Sequence, residues 1–250
     1  MTAGLGRRLV LAMTTSATTG HANAPQRRLY GRRRGRPLRA GQRALFDTLL
    51  PQLCFTLPEN DAALDPRSLF ADTIREVWLE IGFGAGEHLA YQAALHPDCG
   101  LIGSEVFEPG IAHLLSEVRD RPLPNVRLFI DDARLVLAAL TPQSLGRVFV
   151  LHPDPWPKER HKKRRIVARE TLDHLASALR DGAELRIATD DPDYAEWIAE
   201  RLAAHPDFVE KPTDPRPPDW PPTRYELKAK AQGRGARLFC CRRRARSSGA

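Results

Sequence analysis

Acids stand where strand-like segments end: Glu80 in "WLEIGFGAGEHL", Glu105 in "IGSEV", Asp131 and Asp132 in "LFIDD", Asp154 in "LHPDPWPK". The first leads into glycines at alternate positions, Gly82, Gly84 and Gly86, and then Glu87. Glycine lets a backbone turn sharply and come close to a ligand, because no β-carbon intervenes. A dinucleotide site wants G-x-G-x-x-G, with pyrophosphate seated on a helix N-terminus. Here the spacing is G-x-G-x-G and Glu87 replaces the last glycine. Glu80 and Glu87 also bring negative charge to where a pyrophosphate needs donors. That argues against NAD and for a ligand carrying positive charge, with a plain strand–helix turn as the alternative. S-adenosylmethionine, with sulfonium and ammonium groups, meets the requirement.

The remaining acids fit the same ligand. Glu105 lies about 20 residues past the glycines, where an acid accepts ribose hydroxyl protons; a helix cap is the competing use. Asp132 directly precedes a helical stretch and suits an adenine amino group, whereas Asp131 is expected to face solvent. Pro153 and Pro155 flank Asp154 and exclude helix until beyond Pro157. The rigid turn aims Asp154 at the reacting centre. Trp156 either stacks on a base or plugs the core.

Strands must carry these acids. "EVWLEIG", "CGLIGSEV", "NVRLFIDDA", Val148–Leu151 and "AELRIATDD" read as strands. Helical stretches alternate with them, "GEHLAYQAALHP" and "PGIAHLLSEVRDR" among them. A long helix with Leu172, Leu175 and Leu179 on one face should stop at Gly182. Such alternation predicts an α/β, doubly wound, mostly parallel sheet, and "ARLFCCRRR" adds a late antiparallel edge. In an open sheet of this kind, ligands bind outside the carboxyl ends of the strands.

The net charge of +7 is unevenly spread. Ten arginines and no acid precede Asp47; two lysines, six arginines and no acid follow Glu226. "KERHKKRR" (158–165) holds six basic residues in eight. Such blocks favour a polyanion, nucleic acid first. Residues 1–43 are expected to form a disordered basic arm and 44–250 one domain. The apolar run "LVLAM" is shorter than the about 7–15 residues of a signal-peptide core, so export is not expected, and Met13 is an alternative start. No run approaches about 18 apolar residues, so no membrane span is expected. Four cysteines without metal-ligand spacing suit a reduced, cytoplasmic compartment. Cys240 and Cys241 should alternate faces and not bridge.

"EIGFGAG", "PDPWPKERHKKRR", "ATD" and "TRYE" together resemble the bacterial tRNA (guanine-N7)-methyltransferases in order and spacing from about Glu76 onward, and "LYGRRRGRP" is similar to that family's basic arm. The resemblance implies a Rossmann-like class I methyltransferase fold with a seven-stranded sheet and an antiparallel C-terminal edge hairpin. It implies S-adenosyl-L-methionine as methyl donor and tRNA as substrate, with methylation at N7 of the variable-loop guanosine, position 46. It assigns Glu80, Gly82, Glu105, Asp132 and Asp154 to the cofactor, Asp154 to catalysis, and Lys158, Asp190, Thr223, Arg224, Tyr225 and Glu226 to the substrate. His152 departs from the family's usual phenylalanine, Ser104 replaces an aliphatic residue, and Tyr225 stands where phenylalanine is common.

Lys158, four residues past Asp154, suits a phosphate or is one more solvated charge. Asp190 ends the fifth strand or caps the next helix; Thr223, Arg224 and Glu226 follow a stiff proline-rich loop and suit a guanosine-gripping rim. Guanine N7 carries a lone pair and no proton, so no base is needed to make the nucleophile. Asp154 is then expected to orient the base and stabilise its developing positive charge. Rival readings are an amino-methyltransferase, whose motif is closer to D-P-P-W, and an RNA-binding module with a vestigial site. Either a monomer or a homodimer is compatible with the sequence.

Overall fold

The computed structural model describes residues 31–247; the expected disorder before Gly31 lies outside the described residues. Residues 31–39 form no regular element, and α1 (Ala40–Thr48) starts inside the stretch expected as the arm, followed by the short α2 (Leu50–Leu53). Then come β1 (Glu76–Ile81), α3 (Glu87–Leu95), β2 (Cys99–Ser104), α4 (Glu108–Asp120), β3 (Val126–Phe129), α5 (Ala133–Ala139), β4 (Leu145–Leu151), α6 (Arg169–Ala178), β5 (Leu179–Thr189), α7 (Pro192–Ala203), β6 (Phe208–Lys211), α8 (Arg224–Ala231) and β7 (Arg237–Arg243).

The sheet is seven-stranded in the order β3-β2-β1-β4-β5-β7-β6. β1 to β5 pair in parallel, while β7 runs antiparallel to both β5 and β6. This is the expected mostly parallel sheet with an antiparallel C-terminal edge. The edge is no tight hairpin, however, since α8 intervenes between β6 and β7. Because β1 to β5 are parallel, their carboxyl ends share one edge, and every strand-end acid lies along it.

Side chains alternate across the sheet with period two. Leu79, Val148, Ile187 and Cys241 pack on the face covered by α5, α6 and α7. Trp78, Leu101, Phe149 and Cys240 pack on the face covered by α1, α3 and α4. Cys240 and Cys241 therefore point to opposite layers, and both are free thiols. Among the described residues, no helix is long and apolar enough to cross a membrane.

One expected boundary moves. Leu179 opens β5 instead of closing the preceding helix, and Gly182 (φ +76°) lies within that strand. The cause is remote in sequence. The Arg246 guanidinium donates to the carbonyls of Ala176, Ser177 and Leu179, and Arg243 Nε donates to Ala176. These cations take the orphan carbonyls of the α6 C-terminus. Part of the basic tail thus serves the fold. Arg165, in the middle basic cluster, is likewise buried, with its guanidinium over Tyr194 and Trp197 and paired with Asp193.

Candidate active site

The three glycines after β1 all adopt positive φ (+68°, +58° and +81°), a conformation that other L-residues rarely accept. Their winding brings the Gly84 N–H to Glu105 Oε2 at 2.9 Å. The other Glu105 oxygen accepts from Val106 N–H (2.6 Å) and Phe107 N–H (2.9 Å). One carboxylate therefore ties the glycine turn to the segment leading into α4, without capping that helix, whose N-cap is Phe107. Behind the turn, a β-carbon on Gly110 of α4 would come within 2.0 Å of the Gly84 carbonyl oxygen. Gly110 fixes the depth of the turn, and nothing in its own sequence neighbourhood pointed to that contact.

Glu80, at the end of β1, is buried, and its Oε2 lies 2.8 Å from His88 Nδ1. Asp132 caps α5 by accepting from Arg134 N–H at 3.0 Å. Asp131 does not simply face solvent as expected. Its side chain accepts from Asp132 N–H (2.7 Å), its carbonyl accepts from Ser104 Oγ (3.0 Å), and it is half-buried in the cavity wall. Ser104, unusual in the resemblance, thereby anchors the β3 turn.

The segment after β4 is as rigid as its prolines suggest. His152 and Trp156 take positive φ (+51° and +45°) around Asp154, and helical winding resumes only at Glu159. Asp154 is surface-accessible at the cavity mouth, yet enough protein surrounds it that desolvation raises its carboxyl pKa above the ordinary value. Trp156 is half-buried in the cavity wall, outside both core clusters, with the Arg164 guanidinium 4.9 Å from its ring centroid.

These ends converge on one cavity of about 600 Å³, lined by Glu80, Gly82, Glu105, Asp131, Asp132 and Asp154, with Phe83 and Val106 as apolar wall. Thr223 and Arg224 close it from the far side, and Arg32 reaches it from the arm. Arg224 lies 3.8 Å from Glu87, joining the far wall to α3. The volume lies within the range of cofactor sites. Six acids against four arginines (Arg32, Arg134, Arg164 and Arg224), with apolar walls, make a lining that fits S-adenosylmethionine better than a pyrophosphate.

Other expected residues lie apart. Lys158 is exposed outside that cavity. Asp190 lines a second cavity of about 240 Å³, with Lys228 and Arg234, and the two cavities share His152 and Pro153 as a wall. Asp190 pairs with Arg234 and lies 3.3 Å from His152 Nδ1. Burial lowers the His152 pKa, so the ring favours its neutral form. Glu226 is gripped by Arg216 through two hydrogen bonds of 2.8 and 2.7 Å. The Tyr225 side chain lies outside the described residues.

Comparison with known proteins agrees with this geometry. The model of the family described as "Putative methyltransferase" matches residues 75–238. A tRNA (guanine-N(7)-)-methyltransferase of Paramagnetospirillum magneticum is 52% identical over 94% of this chain and 100% of its own length. Proteins of the same name from Rhodospirillum rubrum (49% identical, 88% of this chain, 89% of theirs) and Granulibacter bethesdensis (45%, 83% and 91%) are also similar. With such similarity along nearly its whole length, the chain belongs to the tRNA (guanine-N(7)-)-methyltransferase family.

Proposed function

We propose that this chain transfers the methyl group of S-adenosyl-L-methionine to N7 of a guanosine in tRNA, the variable-loop guanosine at position 46. The observation that carries this reading is the convergence of acids from four successive strand ends on one cavity, with Asp154 on a rigid turn at its mouth. When bound, S-adenosylmethionine supplies an electrophilic methyl on a sulfonium. Glu80 and Asp154 place negative charge beside such a cation; Glu105 and Asp132 offer acceptors to ribose and adenine, and Gly82 lets the backbone approach. Asp154 also faces the base, where its carboxylate offsets the positive charge that the purine acquires. Thr223, Arg224, Tyr225 and Glu226 form the rim that grips the nucleoside, and Asp190 acts from the adjoining cavity.

The exposed cations Lys158, Arg160 and Lys163 face outward beside this edge and hold phosphates. Residues 1–43 act as a basic arm that extends this surface, and 44–250 as the catalytic domain. Such an enzyme works in the cytoplasm, as a monomer or homodimer. Lys158→Ala should weaken tRNA binding about equally for all acceptor sequences and lower the slope of log K against log salt by about one. An unchanged slope would remove Lys158 from the phosphate contacts. The reading itself is tested with labelled S-adenosylmethionine and unmodified tRNA transcripts. A transcript with guanosine at position 46 should accept methyl and one with adenosine there should accept none. Equal incorporation into both would refute the assigned position.

A further inference from the structure

Glu80 is not placed by β1 alone. The chain of contacts behind it begins at the Asp219 carbonyl, which lies 2.5 Å from Gln92 Nε2. A carbonyl carries no proton, so the amide atom facing it must be the nitrogen, and Gln92 cannot be flipped. The same nitrogen lies 3.2 Å from His88 Nε2. Its second hydrogen therefore points at His88 Nε2, which must offer a lone pair. The imidazole proton is then on Nδ1, 2.8 Å from Glu80 Oε2. Each bond fixes the polarity of the next.

The surroundings preserve this order. Gln92 is fully buried, and the side chains of His88 and Glu80 are 5% and 2% exposed, so water does not compete. Phe149 packs edge-on against the His88 ring, with centroids 4.7 Å apart. Gln92 Oε1 is buried without a partner. An unpaired buried carbonyl is costly, and the two contacts of its amino group offset that cost. At the far end, the Asp219 carboxylate is clasped by Arg147 (2.7 Å) and Arg186 (2.9 Å) from β4 and β5. Two residues later the chain reaches Pro221, Pro222, Thr223 and Arg224, which form the far wall of the cavity.

We infer that His88 is a positioning residue: with its tautomer set by Asp219 through Gln92, it holds the Glu80 carboxylate toward the cofactor and links that carboxylate to the loop carrying the substrate rim. The inference rests on reading the large cavity as the S-adenosylmethionine site. Its resting structure is directly observable. Imidazole ¹⁵N NMR of the whole protein should show His88 protonated at Nδ1 and bare at Nε2; the opposite tautomer would overturn the proposal.

Calorimetric titration with S-adenosylmethionine supplies the energetic test. His88→Leu should weaken binding about tenfold, the scale of one lost charge-assisted hydrogen bond. His88→Asn places an amide nitrogen where Nδ1 was and should recover most of that loss. In a Glu80→Ala background, His88→Leu should have almost no further effect, because both changes remove the same contact. Fully additive losses would show that His88 acts independently of Glu80 and would overturn the proposal. Should His88→Leu fail to fold, the same cycle with His88→Ala and the tautomer measurement decide the matter. A wild-type protein that binds no S-adenosylmethionine would refute the reading of the cavity, while the tautomer result would still stand on its own.

Discussion

Asp154→Asn should lower the rate of methyl transfer about a hundredfold or more, the scale of removing one preorganised electrostatic group from a reacting centre, while S-adenosylmethionine affinity stays within a few-fold. The asymmetry follows from position. Five other acids line the cavity, whereas Asp154 stands at its mouth on a turn held by Pro153, Pro155 and two positive-φ residues. The amide has nearly the same shape, so loss of turnover reports lost charge. The pH dependence has a fixed sign. Desolvation raises the Asp154 pKa because burial penalises its charged form. The charged form is the working one, so turnover rises with pH through that raised pKa and falls as acid protonates it. The limb should be absent in Asp154→Asn. Equal turnover in the two proteins would remove Asp154 from the reaction.

Gly110→Ala should be severely damaging. The added carbon would lie 2.0 Å from the Gly84 carbonyl oxygen, a backbone atom that cannot rotate away. Either α4 or the glycine turn must move, and Glu105 ties the two together through Gly84, Val106 and Phe107. Overpacking of this kind costs about 1–3 kcal/mol, visible as a lower unfolding midpoint, and S-adenosylmethionine binding should weaken at least about tenfold as the turn shifts. Gly41→Ala is the control. Gly41 lies in α1 with nothing within 4 Å of the added carbon, so the substitution should leave binding intact and stability equal or slightly higher. Similar losses at both positions would show that the damage is not specific to the turn.

Much of this site was legible because parallel strands bring their carboxyl ends to one edge whatever the details of the helices between them. Acids at the ends of β1, β2, β3 and β4 therefore had to meet, and Glu80, Glu105, Asp132 and Asp154, with Asp131 beside them, line one cavity. The prolines around Asp154 carried their own backbone restriction, and the structure keeps it. What escaped depends on partners distant in the chain. The end of α6 is set by Arg243 and Arg246, about 65 residues on, and no local pattern around Gly182 reveals them. Gly110 looked like one more small residue in a helix until the fold brought it against Gly84. β6 is four residues long and follows α7 too closely for alternation to stand out.

Charge was the least faithful guide. A count of cations cannot separate an arginine that faces solvent, such as Arg160, from Arg165, which is buried on two aromatic rings. The same holds for the C-terminal tail, where Arg243 and Arg246 satisfy helix carbonyls and acids of the fold. Fewer cations therefore remain for a polyanion than the composition suggests.

Methylation should fall on N7 of guanine and on no other atom. Its most direct test exploits the lability of N7-methylguanosine. Unmodified tRNA is incubated with the protein and S-adenosylmethionine, then treated with borohydride and aniline, and the breaks are mapped. One enzyme-dependent break is expected, at guanosine 46, and it should disappear with Asp154→Asn. Methyl incorporation without any such break would place the methyl on another atom and rule out N7 as the target.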